Sequence, residues 1–136
     1  MNSKAKGNLT ELAVMMKAIE LGIIVSIPYG DCDKYDQIWD INGRMLKIQV
    51  KTSRQKGLYN NIIFNCYSVA NGKKHKYTKQ DIDYFATIYK DKVYLVPVEH
   101  CSLEKTLWFS IPKELESQKQ KFALAETYEI SKVINN

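Results

Sequence analysis

Apolar residues recur at helical spacing at Leu9, Leu12, Ala13, Met16 and Ile19, which predicts a helix over residues 9–21 with Asn8 as its N-cap and Gly22 ending it. Residues 22–27, Gly-Ile-Ile-Val-Ser-Ile, then form a short apolar run stopped by Pro28 and the loop 29–33, and read as a buried strand.

The next segment alternates polar and apolar residues on both sides of Asn42-Gly43. Asn-Gly between two β-rich runs signals a two-residue hairpin turn. With Asn42 and Gly43 at the turn, Trp39 falls opposite Leu46 and Asp36 opposite Gln49. Strand side chains alternate faces, so Leu46, Ile48 and Val50 form an apolar layer with Trp39 and Ile41. Asp36, Gln49 and Lys51 point the other way, and the register alone gathers an acid, an amide and a lysine on one face.

Beyond this hairpin, residues 61–68 read as a strand and 71–76 as a basic loop, after which Thr78 caps a short helical turn over 79–82. Residues 83–89 and 93–98 are two further strands around the turn 90–92. Residues 106–111 are another, and the tail from Pro112 is polar and helical in part.

No repeat or linker divides the chain, so its 136 residues, 45% of them hydrophobic, are expected to fold as a single domain over 1–136. The aromatic content of 11% argues against disorder. The net charge of +5 is unevenly placed: residues 1–43 carry four bases and six acids, residues 44–92 eleven and three, residues 93–136 five and six. A basic middle third between slightly acidic ends suits a polyanion, nucleic acid first. No apolar run approaches a membrane span, and the expected setting is cytoplasmic. Cys32, Cys66 and Cys101 are odd in number and widely spaced, which fits buried reduced thiols. His100-Cys101 lacks the companion spacing of a zinc site.

The order is thus a helix with Glu11, a strand, a strand preceded by Asp36, and a strand ending in Gln49-Val50-Lys51. This resembles the PD-(D/E)XK nuclease superfamily, whose core is an αβββαβ unit with a mixed central sheet, an α/β (α+β) fold. The combination of Lys6-Gly7, Glu11, Gly30-Asp31, Tyr35-Asp36, Gln49-Val50-Lys51-Thr52, Tyr84-Phe85 and Tyr94-Leu95-Val96-Pro97-Val98 is most similar to the small homing endonucleases encoded in bacterial group I introns. Gln49 stands where most of the superfamily has an acid. Its amide oxygen still suits a hard cation but adds no negative charge, and the intron branch resembles this chain in using Gln there.

The resemblance implies a catalytic set of Glu11, Asp36, Gln49 and Lys51. Phosphodiester hydrolysis needs an activated water and neutralisation of charge in the transition state. Asp36, Gln49 and the Val50 carbonyl would hold Mg²⁺, with Mn²⁺ able to substitute, and Lys51 would orient or deprotonate the water. Glu11 would serve as an outer ligand or hold Lys51. Each residue also has a plainer reading: Glu11 as part of a capping box with Asn8, Asp36 as a turn residue, Gln49 and Lys51 as a solvated strand face. The shared spatial pattern favours the catalytic one.

Lys34, Arg54, Lys56, Lys73, Lys74, His75, Lys76 and Lys79 flank this site and are expected to contact double-stranded DNA backbone. Asn60, Asn61, Asn65 and Tyr67 are expected to read bases. Cutting two strands with one site per chain calls for a homo-oligomer, a dimer at least, and the resemblance raises a tetramer. Tyr84, Phe85, Tyr94, Trp108 and Phe109 are candidate interface residues. A junction-resolving nuclease and a catalytically silent DNA-binding domain are the alternatives on the same scaffold.

Overall fold

The first helix, α1 (Ser3–Glu20), starts earlier than the apolar spacing predicts in the computed structural model, which describes residues 1–30 and 34–135. Its cap is Asn2, whose Oδ1 accepts the Ala5 amide at 2.8 Å, and Asn8 lies inside the helix. Ser-Lys-Ala-Lys at positions 3–6 are adequate helix formers, so the helix extends back to the first side chain able to satisfy a free amide. The capping-box reading of Glu11 falls with Asn8. Gly22, at φ 82°, ends the helix as expected, and the Ile23 amide donates to the Ala18 carbonyl at 3.1 Å.

The apolar residues that mark the helix are mostly not the ones that pack. Val14 and Ala18 are buried and Glu11 is half-buried in line with them, whereas Leu9, Leu12, Met16 and Ile19 stay 52% to 56% exposed. Small side chains let the helix lie close on the sheet, and a hydrogen bond to the Glu11 carbonyl, described below, fixes its rotation.

After β1 (Ile24–Ser26), the strands β2 (Gln37–Ile41) and β3 (Arg44–Val50) form the predicted hairpin, with Trp39 opposite Leu46. Asn42 and Gly43 take φ 56° and 86°, the left-handed pair that a type I′ turn requires. Asp31 and Cys32 lie outside the described residues.

The segment expected as one strand over 61–68 is two, β4 (Asn61–Asn65) and β5 (Tyr67–Ala70), separated at Cys66. The expected basic loop is itself a strand, β6 (Lys73–Lys76), paired antiparallel with β5 across a second Asn-Gly turn at Asn71-Gly72, φ 53° and 73°. At Thr78 the capping runs in reverse: the Thr78 amide and hydroxyl donate to Asp81 Oδ2 at 2.9 and 3.2 Å, closing a turn. The strands β7 (Tyr84–Tyr89) and β8 (Lys92–Pro97) follow, then β9 (Glu104–Trp108), which ends sooner than expected. The tail holds 3₁₀ turns over Lys113–Lys121 and Ala125–Tyr128 and a short helix, α2 (Ile130–Ile134).

The central sheet has the order β1-β2-β3-β7-β8, with β3 and β7 parallel and the other pairs antiparallel. The fold is therefore α+β with the expected mixed sheet. The crossover joining the parallel strands carries β4, β5, β6 and the Thr78 turn, with no α-helix among its described residues.

Alternation along the strands feeds two cores. Trp39, Leu46, Ile48, Val50, Ala86, Val93 and Leu95 pack with Val14 and Ala18 of α1 and Ile130 of α2. Phe85, Tyr94 and Val96 pack on the other face with Ile62, Phe64 and Leu107 of the β4–β9 pair. Phe85, Tyr94 and Trp108, expected at an interface, are thus core residues with at most 9% exposure. Aromatic side chains bury roughly 150–250 Å² each, so the core takes them first.

Candidate active site

The site forms where the β2–β3 ladder ends. The last paired residues are Gln37 and Ile48, and the Asp36 amide still donates to the Ile48 carbonyl at 2.8 Å. Two residues further along β3, the Val50 amide finds the Asp36 carboxylate in place of a backbone carbonyl and donates to its Oδ2 at 2.8 Å. That bond sets the direction of the carboxylate. Backbone groups alternate sides along a strand, so the Val50 carbonyl is turned toward the same side as that of Ile48, where Asp36 lies.

Gln49 and Lys51 project on the opposite face from Ile48 and Val50 and are half-buried. The neighbouring strand anchors them: the Lys51 amide donates to the Ala86 carbonyl of β7 at 2.9 Å.

Glu11 arrives from α1. The buried Gln37, 1% exposed, donates from Nε2 to the Glu11 carbonyl at 2.9 Å and accepts the Trp39 indole N–H at 2.9 Å. A second tie joins the Thr10 and Thr52 hydroxyls at 3.0 Å. Gln37 and Thr52 were absent from the candidate set; a polar residue on the apolar face of β2, at the Gln37 position, was the signal.

Glu11 and Asp36 are neighbours whose carboxyls act on each other. Burial raises the Glu11 carboxyl above the ordinary glutamate range, and the Asp36 charge and hydrogen bond add to it. Burial also raises Asp36, opposed by the Val50 N–H, the Lys51 charge and the Glu11 hydrogen bond. Lys51 is lowered by burial, and Asp36 partly offsets this. Two crowded carboxyls with a backbone carbonyl turned toward them offer oxygens of the kind that suit a hard divalent cation, and Gln49 stands between Ile48 and Val50 on the same strand. Among the described residues no cluster of three His, Cys, Asp or Glu that could hold a metal ion exists.

Lys51 Nζ donates to the Tyr67 carbonyl at 3.2 Å and lies 5.3 Å from the centroid of the Tyr77 ring. Tyr77 is buried, and its phenol is pushed up to about 12 by burial and the Asp36 and Asp81 charges. Cys66 and Cys101 are adjacent buried thiols behind Lys51. The Cys101 contact and burial raise Cys66, and that contact lowers Cys101. His100 instead hydrogen-bonds Tyr128 at 2.9 Å.

The candidate DNA contacts divide into groups. Lys73, Lys74, His75 and Lys76 are all exposed on β6; Lys34 is exposed with its ammonium 6.0 Å from the Tyr77 ring centroid, and Lys56 is exposed at a different place, on the groove described below with Tyr59 and Trp108. Arg54 pairs with Glu104 at 3.9 Å, and Lys79 with Asp83 and Glu99 at 3.7 and 3.5 Å, so these cations already have acid partners. Asn61 is buried and accepts the Lys56 amide at 3.1 Å, which corrects its assignment as a base reader. Asn60 donates to Ser110 Oγ at 3.2 Å, and Asn65 and Tyr67 are half-buried. The Asn65 Oδ1 is buried without a hydrogen-bond partner. A groove of about 650 Å³ lies elsewhere, lined by Lys56, Tyr59, Trp108 and Phe122.

Residues 1–131 match the family described as PD-(D/E)XK endonuclease. Among solved structures the chain is similar to a bacterial homing endonuclease, I-Ssp6803I, with a TM-score of 0.69 and 23% identity over 96% of this chain and 88% of that one. At that identity the likeness is one of fold. No curated protein matches the chain.

Proposed function

This chain belongs to the PD-(D/E)XK endonuclease family, and from that premise we propose that it is a sequence-specific, Mg²⁺-dependent double-strand DNA endonuclease of the intron-homing kind. The observation that carries this reading is the convergence of Glu11, Asp36 and Lys51, from α1, the residue before β2 and the residue after β3, at one open end of the hairpin ladder, with Gln49 two residues before Lys51 on the same strand face.

Asp36, the Gln49 amide oxygen and the Val50 carbonyl hold Mg²⁺ or Mn²⁺ in this reading, with Glu11 outside them. The bound ion supplies an acidified water and counter-charge for the scissile phosphate. The protein's own part is to keep Asp36 aimed by the Val50 N–H and to keep Lys51 half-buried beside it. In that setting the Lys51 amine orients or deprotonates the attacking water and offsets charge on the phosphate. The basic strand β6, with Lys34 and Lys56, takes backbone phosphates in the cytoplasm of a bacterial cell. No helix among the described residues is long and apolar enough to cross a membrane.

The whole chain acts as one endonuclease domain, and two strand cuts need at least two copies, assembled as a dimer or tetramer. Leu9, Leu12, Met16 and Ile19 support this: they are exposed at alternating three- and four-residue steps, the spacing of a helix–helix seam.

The test incubates purified protein and its Lys51→Ala variant with Mg²⁺ and a plasmid carrying an intronless insertion site, beside a synthetic four-way junction. Defined linear products lost in the variant are expected. Junction nicking alone would move the assignment to a resolvase, and specific binding without cutting by either protein to a silent DNA-binding domain. Light scattering of the free protein reads the number of copies.

A further inference from the structure

The Lys51 ammonium is held from outside its own strand by the two feet of one hairpin. Tyr67, the first residue of β5, offers its carbonyl to Nζ at 3.2 Å; Tyr77, immediately after β6, places its ring centroid 5.3 Å from the same nitrogen. The ring is itself fixed: it is 7% exposed and meets Phe85 edge-on at 5.3 Å and 86°. Both distances fall in the range where a cation is drawn to a carbonyl dipole or an aromatic face.

The same hairpin carries the exposed basic strand β6 as one of its two arms, running from the Asn71-Gly72 turn down to the foot at Tyr77. Lys74 lies over the Tyr67 ring at 4.6 Å, and Tyr67 pairs with Lys76 across the two strands. The residues that would meet phosphate and those that hold the lysine therefore share one two-stranded unit, separate from the central sheet.

Resting on the nuclease reading, we propose that Tyr77 and the Tyr67 carbonyl are positioning groups for Lys51, so that seating the β5–β6 hairpin on DNA and placing the reactive amine are a single event. A tilt of the hairpin shifts the Tyr67 carbonyl against the fixed Tyr77 ring, and the amine held between them responds. DNA that does not engage the basic strand would then be bound without being cut efficiently, which makes the hairpin a device for specificity as well as affinity.

The experiment compares Tyr77→Leu and Tyr77→Phe in single-turnover cleavage at saturating DNA, equilibrium binding and thermal melting. Tyr77→Phe keeps the ring and is expected within about twofold of the parent. Tyr77→Leu is expected to cut about tenfold more slowly with its Kd for DNA within about twofold, as removal of one cation–ring interaction implies. Equal cutting by the Leu and Phe variants, or a loss confined to Kd, would overturn the proposal.

A readout independent of cleavage uses the Lys51 ε-methylene protons, assigned by comparison with Lys51→Arg. Ring current displaces them upfield in the parent and in Tyr77→Phe, and the displacement is lost in Tyr77→Leu. An unchanged resonance in a Tyr77→Leu protein that melts cooperatively overturns the positioning role. A parent that cuts no DNA overturns the nuclease reading, and the resonance still decides whether the ring holds the amine.

Discussion

Two hairpins in this molecule are closed by the same dipeptide and have opposite fates. Asn42-Gly43 and Asn71-Gly72 adopt nearly the same left-handed pair, φ 56° and 86° against 53° and 73°. Along β2 and β3, however, Gln37, Trp39, Leu46, Ile48 and Val50 are buried, whereas all four residues of β6 are exposed. The turn chemistry sets register in both. The flanking side chains decide whether the hairpin becomes a buried platform or a probe reaching into solvent. In the proposed function catalysis needs the first kind, because the placement of Asp36 and Lys51 depends on a ladder that cannot slip. Contact with a phosphate backbone needs the second.

The largest expected effect falls on the chemistry that the buried hairpin carries. Lys51→Ala should lower single-turnover cleavage by about 10³-fold or more while DNA binding is retained, since it removes a group acting on the transition state. Cleavage within tenfold of the parent would mean that β3 only supports the site.

Next comes the scaffold itself. Trp39 has no exposure and its indole N–H is used by Gln37, so Trp39→Ala should cost about 3–5 kcal/mol in a denaturant titration. Val69→Ala in the exposed hairpin, where the side chain is 64% exposed, should change stability by less than about 0.5 kcal/mol. Similar losses at the two sites would erase the distinction between platform and probe.

Binding should show the reverse sensitivity. Replacing Lys73, Lys74 and Lys76 together by Ala should weaken DNA binding by one to two orders of magnitude at moderate salt. It should also flatten the dependence of log K on log salt by roughly 2 to 3 units, about 0.9 for each phosphate no longer neutralised. Melting should hardly move. An unchanged salt slope would place the DNA elsewhere on the surface.

The contrast also explains what the sequence disclosed. The first Asn-Gly turn was legible because alternating apolar residues surround it, and from that register followed the shared face of Asp36, Gln49 and Lys51. The second has Lys-Lys-His-Lys on one side, with no apolar alternation to mark a strand, and so reads as a loop. In α1, helical spacing revealed the element but not the face that packs, because the larger apolar stripe stays exposed while Val14 and Ala18 are buried. What decides the rotation is Gln37, a polar residue on an apolar strand face whose partner is a helix carbonyl distant in sequence. No periodicity encodes that contact, and none encodes the meeting of Tyr77 with Lys51, which depends on how a 26-residue excursion of chain returns.

The smallest effect concerns a deficit that the buried hairpin bears and the exposed one does not. Burial raises both Glu11 and Asp36 in the folded protein, so the folded state binds protons more tightly than the unfolded chain. An acid raised in this way favours folding at pH values below its unfolded range. The advantage is lost as pH rises through the raised folded values, and at neutral pH the charged pair weighs against the fold. Without divalent cations, melting of the parent should therefore fall as pH rises from about 4 toward 7, by a few degrees at most. Asp36→Asn keeps an oxygen for the Val50 N–H while removing one charge, so it should flatten that slope and raise the melting point at pH 7. Added Mg²⁺ should restore the parent and leave the variant unmoved. A slope as steep in Asp36→Asn as in the parent would mean that the carboxyl pair is not the source.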